Sequence, residues 1–243
     1  MTVNEKPDSI QKTARTAGFL YVLLIPLGVF GMLYVPNTLF VPGDITATVS
    51  NILANQTLYS LSIVTALLTQ VVQIFAVLYL YKVLKPVNKN HAVLMVVFIL
   101  VAVPIAMLNE NNQFAVLLLL NGAEFFGVDF LAFFTADQIE ALVALFLGLR
   151  QTGIYIAQIF WGLWLFPMGY LVFKSGFLPK IIGAFLIVAG FGYLIDSFIF
   201  FFVPDFGITF TGFTFVGEVL ITFWLLIKGV NVEEWKKRAL ESA

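Results

Sequence analysis

The residues of this chain that could do chemistry are ionisable and amide side chains set in long apolar stretches. They are Glu110, Asn112, Arg150, Gln158, Tyr193, Asp196 and Glu218. Such groups are costly at membrane depth, so each one is a candidate functional residue by default. They could bind an ion or a small polar molecule, or a carboxyl group among them could transfer a proton.

Asp196 and Glu218 are the carboxyl groups with the deepest predicted positions. Asp196 lies about 24 Å along its helix, counted from Lys180, in the outer half of a bilayer. Glu218 precedes Lys228 by about 15 Å of helix, which places it near mid-membrane. A carboxyl group at that depth is either paired or protonated. The alternative role for either residue is a structural hydrogen bond to a neighbouring helix.

A second polar group is the run Asn109-Glu110-Asn111-Asn112-Gln113. It forms either an inward-facing polar patch on a long third helix or a solvent-exposed loop after Leu108. The apolar residues 114–120 continue the pattern and favour the helix. Arg150 could pair with Glu110 or Asp196, or it could snorkel outward from the membrane interface. Amides such as Gln158 are also explained by interhelical hydrogen bonds alone.

The composition excludes several kinds of site. The chain has no cysteine and one histidine, which rules out thiol chemistry, disulfides and a multi-histidine metal centre. No nucleotide-binding, zinc-protease or serine-nucleophile motif occurs. The net charge of -1 gives no indication of a nucleic-acid partner. We therefore expect no cofactor, no metal and no catalytic residue that the sequence alone can name.

The elements that hold these residues are membrane-spanning helices. The chain is 60% hydrophobic and 11% charged, with a mean hydropathy of +0.98. A soluble domain carries about 25% charged residues. Six stretches reach the roughly 20 apolar residues that a span needs. The expected spans are residues 17–35, 58–84, 91–120, 152–173, 178–202 and 210–227. The sequence thus predicts an all-α bundle of six transmembrane helices in a single integral membrane domain, residues 1–243.

Basic residues predict the orientation of this bundle. Every Lys and Arg except Arg150 falls on one side of six spans, in the tails 1–16 and 228–243 or in two connecting loops. Cytoplasmic loops are enriched in these residues. We therefore expect a multi-pass protein of the cell membrane with both termini cytoplasmic. The basic start resembles a signal peptide, but its apolar run is long, so a retained first helix is expected.

Two segments on the opposite side are more than linkers. Asp44 is a predicted N-cap of a short outer amphipathic helix, with Ile45, Val49, Ile52 and Leu53 on one face. Thr135 and Gln138 fit a capping box at the start of a second helix. That helix would be too long for one span if it continued to residue 173, so we expect a break near Gly148 or Gly153. This side also carries the acids Glu124, Asp129, Asp137, Glu140 and Asp205.

Three stretches of the sequence together resemble a known family. They are Pro42–Asp44 with the following residues 45–55, residues 80–89 with Lys82 and Lys89, and residues 160–197, which include Lys174-Ser175-Gly176-Phe177-Leu178-Pro179-Lys180 and Gly190-Phe191-Gly192-Tyr193. They are similar to a bacterial and archaeal family of multi-pass membrane proteins described only as a domain of unknown function. The resemblance implies an integral membrane domain and supplies no activity. Residues 109–113 and 121–137 match nothing in it.

Three functions remain open from the sequence. The first is a transporter or small-ligand binding protein with a polar cavity lined by Glu110, Asn112, Arg150, Gln158 and Asp196. The second is an intramembrane enzyme that uses Asp196 or Glu218, which the lack of a nucleophile argues against. The third is a structural or signalling membrane subunit whose polar groups fix helix pairing. The expected partners are membrane lipids and a small molecule or ion, while the substrate, coupling ion and oligomeric state stay open.

Overall fold

The computed structural model describes residues 7–122, 130–203 and 206–242. Every regular element in these ranges is helical. The helices, in chain order, are α1 (Pro7–Gly28), a π-helix (Val29–Tyr34), α2 (Val35–Leu39), α3 (Ile45–Ala54), α4 (Gln56–Leu84), α5 (Lys89–Asn109), α6 (Asn111–Asn121), a 3-10 turn (Phe130–Phe133), α7 (Ala136–Leu163), α8 (Leu165–Lys174), α9 (Lys180–Phe202), α10 (Thr211–Thr214), α11 (Val216–Ile227) and α12 (Val232–Glu241). The predicted acids Glu124, Asp129 and Asp205 lie outside the described residues.

Five helical stretches of the described chain are long and apolar enough to cross a membrane. They are Ser9–Leu39, Gln56–Leu84, Lys89–Asn121, Ala136–Lys174 and Lys180–Phe202. The helical stretches Thr211–Ile227 and Val232–Glu241 meet at a bend of 104°. If these two stretches are counted as one span, the described chain has six. The predicted all-α membrane bundle is confirmed, with five or six spans.

The first helix begins earlier than expected, at Pro7 rather than near residue 17. Ile10, Ala14, Ala17 and Tyr21 are all buried and recur at helical spacing. These residues form one continuous apolar face, although charged residues lie between them in the sequence. Part of the predicted tail, residues 1–16, therefore belongs to a helix.

The predicted break near Gly148 or Gly153 is wrong, because α7 runs without interruption from Ala136 to Leu163. The helix breaks at Trp164 instead, three residues before Pro167. Proline has no N–H to donate to the carbonyl four residues earlier, which here belongs to Leu163. The capping box that starts α7 is confirmed, since the Thr135 N–H donates to Gln138 Oε1 at 2.9 Å.

The short outer helix α3 is confirmed with its predicted cap. The Ala47 N–H donates to Asp44 Oδ1 at 2.8 Å. Val49 and Ile52 are buried, whereas Leu53 is 43% exposed and does not share their buried face as predicted. Leu53 follows Ile52 by one residue, so it lies at the edge of the apolar stripe.

The predicted tail 228–243 contains a helix, α12. Asn231 caps it by accepting from the Glu233 and Glu234 N–H groups. Trp235 is buried, and its indole N–H donates to the Val83 carbonyl at 2.8 Å. This hydrogen bond attaches α12 to the end of α4.

The chain divides into two compact units, and the predicted single domain stays a prediction. Unit 1 comprises Met1–Leu24, Val71–Pro104 and Tyr155–Ala243. Within it, α8 and α9 approach closely at two glycines: a Cβ on Gly183 would lie 2.6 Å from the Gly169 carbonyl oxygen. Small residues at such contacts let membrane helices pack backbone to backbone.

Unit 2 comprises Ile25–Gln70 and Ile105–Ile154. Its apolar core combines residues of α2, α3, α4, α6 and α7. The core residues are Val35, Leu39, Val49, Ile52, Tyr59, Ile63, Val116, Leu119 and Val143. This core surrounds the ring of Tyr59, which is fully buried.

Candidate functional site

Unit 2 contains a buried polar cluster, here called the Arg150 cluster. Its members are Tyr59, Ser62, Asn109, Glu110, Gln113 and Arg150. Arg150 is 4% exposed and Glu110 is 6% exposed, so both charges are removed from solvent. Burying a charge is costly unless it is paired and hydrogen-bonded, so the contacts of these two residues determine what the cluster can do.

A one-residue helix break places Glu110 in the cluster. Helix α5 ends at Asn109 and α6 begins at Asn111. The Asn112 amide bonds back to Asn109, with 2.9 Å to its Oδ1. The Asn109 amide in turn donates to the Arg150 carbonyl at 2.9 Å. Asn109, Glu110 and Gln113 are therefore buried on a helical segment, as one of the two sequence alternatives predicted, whereas Asn111 is exposed and Asn112 half-buried.

Glu110 is held by side chains rather than exposed to water. Gln113 Nε2 donates to Glu110 Oε2. The Ser62 hydroxyl donates to the Tyr59 carbonyl at 2.6 Å, and its Oγ lies 3.2 Å from Gln113 Oε1. Arg150 Nε lies 3.9 Å from the same carboxylate oxygen. That distance allows an ion pair but exceeds the range of an N–H···O hydrogen bond.

Arg150 has a donor that no described residue accepts. Its Nε is buried without a hydrogen-bond partner among the described residues. The Tyr59 hydroxyl is also buried and unpartnered. This hydroxyl lies within electrostatic range of both Arg150 and Glu110. The Arg150 Nε and the Tyr59 hydroxyl are thus two buried groups of the cluster that lack a hydrogen bond.

Close backbone packing supports the cluster. A Cβ on Gly153 would lie 2.0 Å from Asn109 Oδ1, so a larger residue there would force that amide to shift. On the other side of α4, a Cβ on Gly31 of the π-helix would lie 3.2 Å from Thr65 Oγ1. Gly153 therefore marks a helix contact and not the break that the sequence suggested.

Both carboxylate oxygens of Asp196, in unit 1, accept hydrogen bonds from backbone N–H groups. Its two oxygens accept from the Phe210 N–H at 2.6 Å and the Thr211 N–H at 2.8 Å. These N–H groups open α10, where free donors need acceptors. Asp196 therefore fixes the segment that follows α9, and each carboxylate oxygen already has a backbone partner.

The other polar residues of unit 1 also have protein partners. Gln158 Nε2 donates to the Tyr193 carbonyl at 3.1 Å. The Tyr21 hydroxyl donates to Glu218 Oε2 at 2.6 Å, and the Tyr193 side chain interacts with the same carboxyl group. These contacts join α1, α9 and α11 around Glu218.

Unit 1 also has an open apolar groove of about 310 Å³. His91 and Tyr170 stack at a ring distance of 4.3 Å in its wall. The other lining residues are apolar: Leu94, Phe98, Leu163, Phe166 and Pro167.

The structure brings some predicted site residues together. Glu110 and Arg150 form a pair in unit 2, with Asn112 beside Asn109. Gln158, Tyr193, Asp196 and Glu218 belong to unit 1 and have the partners given above. Sequence reasoning did not single out Tyr59 and Ser62, because an aromatic and a hydroxyl residue in a long apolar helix carry no polar signal. No group of three His, Cys, Asp or Glu side chains in the described residues could hold a metal ion.

The fold and its buried charges define a multi-pass α-helical membrane protein with polar groups inside the bundle. A family model for a domain of unknown function, DUF4386, matches residues 16–229. The chain belongs to this family. It is also 43% identical over 79 residues to an uncharacterized protein of Archaeoglobus fulgidus. That match covers 32% of this chain and spans about half the relative, 48% of its length. No solved structure matches the chain.

Proposed function

We propose that this protein binds a small polar ligand at the Arg150 cluster and transports it across the cell membrane. The observation that carries the proposal is the Nε of the buried Arg150 side chain, which has no hydrogen-bond partner among the described residues. Leaving a buried donor without a hydrogen bond costs about 1–3 kcal/mol, and the cost is larger when the donor is charged. A bound ligand that supplies acceptors would remove this penalty.

Interrupted helices around the cluster support a transport role. The π-helix Val29–Tyr34 continues α1, and the break at Glu110 separates α5 from α6. Transporters commonly place substrate sites at discontinuous membrane helices, and π-helical turns are frequent at functional sites. Both interruptions lie in unit 2, next to Ser62 or within the cluster itself.

The proposed orientation has both termini in the cytoplasm. It rests on the distribution of Lys and Arg, because cytoplasmic loops carry the excess of these residues. The absence of cysteine makes single-cysteine labelling clean. In intact cells, an impermeant maleimide should label Asp137→Cys and leave Ser242→Cys unlabelled until the cells are opened. The reverse pattern would overturn the orientation.

The binding proposal is tested by a thermal-stability screen of the purified protein. A library of small anions, cations, zwitterions and neutral polar molecules is applied to the native protein, to Arg150→Gln and to Arg238→Gln. Arg238 is a matched control because its Nε is also buried without a hydrogen-bond partner, while its side chain is 39% exposed and pairs with Glu241 at 3.1 Å. We expect at least one compound to stabilise the native protein and Arg238→Gln but not Arg150→Gln. A screen in which no compound discriminates Arg150→Gln would refute binding at this cluster.

A structural or signalling subunit is the second candidate. It is favoured by Asp196, Gln158 and Glu218, whose hydrogen bonds are made within unit 1 without any ligand. Interhelical hydrogen bonds of this kind fix helix pairing. This candidate predicts that Arg150→Gln lowers stability while no small molecule changes it.

A further inference from the structure

We infer that the ligand of the Arg150 cluster carries a carboxylate, which Arg150 binds while Glu110 stays beside it. This inference rests on the proposed function and specifies its ligand. It is argued from the donors and acceptors of the cluster, the geometry of its ion pair and its charge balance.

The first step is the donor count. A guanidinium has five N–H donors in a planar fork and no acceptor. Among the described residues, the Nε of Arg150 has no hydrogen-bond partner, and the Tyr59 hydroxyl nearby is also unpartnered. A ligand that brings an acceptor to Arg150 would satisfy this buried donor. A carboxylate supplies two acceptor oxygens in the spacing that matches an arginine fork.

The second step is the position of Glu110. Its Oε2 accepts a hydrogen bond from Gln113 Nε2. The distance of 3.9 Å from Oε2 to Arg150 Nε leaves this Nε without a direct N–H···O bond to Glu110. Glu110 thus neutralises Arg150 from beside it and leaves the Nε donor without an acceptor.

The third step is charge. Arg150 and Glu110 together are neutral, so the empty site avoids an isolated buried charge. When a ligand carboxylate binds, two carboxylates share one guanidinium and repel each other. Removing the charge of Glu110 should therefore strengthen the binding of a carboxylate. A cationic ligand would show the opposite dependence, because it would need Glu110 as its counter-ion.

The test compares matched pairs of probes on the full chain in phosphatidylcholine nanodiscs. The probes are acetate, butyrate and benzoate, each with its amide, and methylammonium as the cation. Calorimetry measures their affinity for the native protein, Arg150→Gln, Glu110→Gln and the control Arg238→Gln. We expect at least one carboxylate to bind and its amide not to bind. The affinity for that carboxylate should fall by more than tenfold in Arg150→Gln. It should rise by about tenfold in Glu110→Gln, because like charges a few ångströms apart in a protein repel by more than the energy of a tenfold change in affinity.

Each other outcome has a distinct meaning. An amide or methylammonium that binds through the cluster would overturn the carboxylate assignment and leave the proposed function in place. Weaker carboxylate binding in Glu110→Gln would also overturn it, because Glu110 would then contact the ligand. Binding of no probe, with no hit in the wider screen, would overturn both proposals.

If Glu110→Gln does not fold, a second variant tests the same inference. Arg150→Lys keeps the positive charge but replaces the planar fork with a point charge. We expect it to bind the same carboxylate about tenfold more weakly than the native protein. Equal affinity in Arg150→Lys would contradict recognition by the fork.

Discussion

The ion pair between Arg150 and Glu110 leads to a quantitative prediction about stability. Both side chains are nearly inaccessible, at 5% and 7% exposure, so solvent screens their attraction weakly. For unit charges 3.9 Å apart, an effective dielectric constant of about 20 gives an attraction of about 4 kcal/mol. Arg150→Gln alone should lower the free energy of unfolding by about 3–5 kcal/mol, because it leaves Glu110 buried without its counter-ion.

A double-mutant cycle separates the pair from its surroundings. The variants are Arg150→Gln, Glu110→Gln and the double variant, unfolded by denaturant in mixed micelles. The double variant should be more stable than the sum of the single effects by about 2–4 kcal/mol, somewhat below the full attraction because the structure relaxes around each change. The same cycle on the exposed pair Arg238 and Glu241 should give a coupling energy of about 0–1 kcal/mol. Additive effects at Arg150 and Glu110 would refute the ion pair.

Three further predictions concern the packing of the fold. Asp196→Asn should lower the free energy of unfolding by about 1–2 kcal/mol in denaturant titrations, because an amide has one acceptor oxygen for the two backbone N–H groups that open α10. Unchanged stability would contradict this cap. Gly153→Ala should destabilise by more than about 1 kcal/mol in the same titration, because its Cβ would displace Asn109; a neutral effect would show that Asn109 has room to move. Trp235→Phe should speed proteolytic release of α12, because the bond to the Val83 carbonyl is lost, and an unchanged cleavage rate would refute that attachment.

Local signals made parts of the fold readable from the sequence. Asp44 and the pair Thr135 and Gln138 are caps whose partners lie three residues away, so their hydrogen bonds follow from spacing alone. The spans follow from apolar length, which a bilayer requires. The amide run at residues 109–113 was identifiable because polar residues are rare in such spans.

Tertiary packing determined the features that the sequence did not reveal. Gly153 looked like a helix breaker, but its missing side chain makes room for Asn109. The break at Trp164 lies three residues before Pro167, whereas Pro104 lies inside the uninterrupted helix α5, so a proline alone does not determine where a helix breaks. Tyr59 joins the cluster through residues that are far from it in the sequence. No spacing pattern along the chain predicts that its hydroxyl lies near Arg150 and Glu110.

The most direct test of a ligand site at Arg150 is a high-resolution experimental map of the protein purified with its bound lipids and solutes. The proposal predicts density larger than a water molecule within hydrogen-bond distance of the Arg150 guanidinium, and loss of that density in Arg150→Gln. A map in which every guanidinium nitrogen donates to a protein oxygen would contradict it.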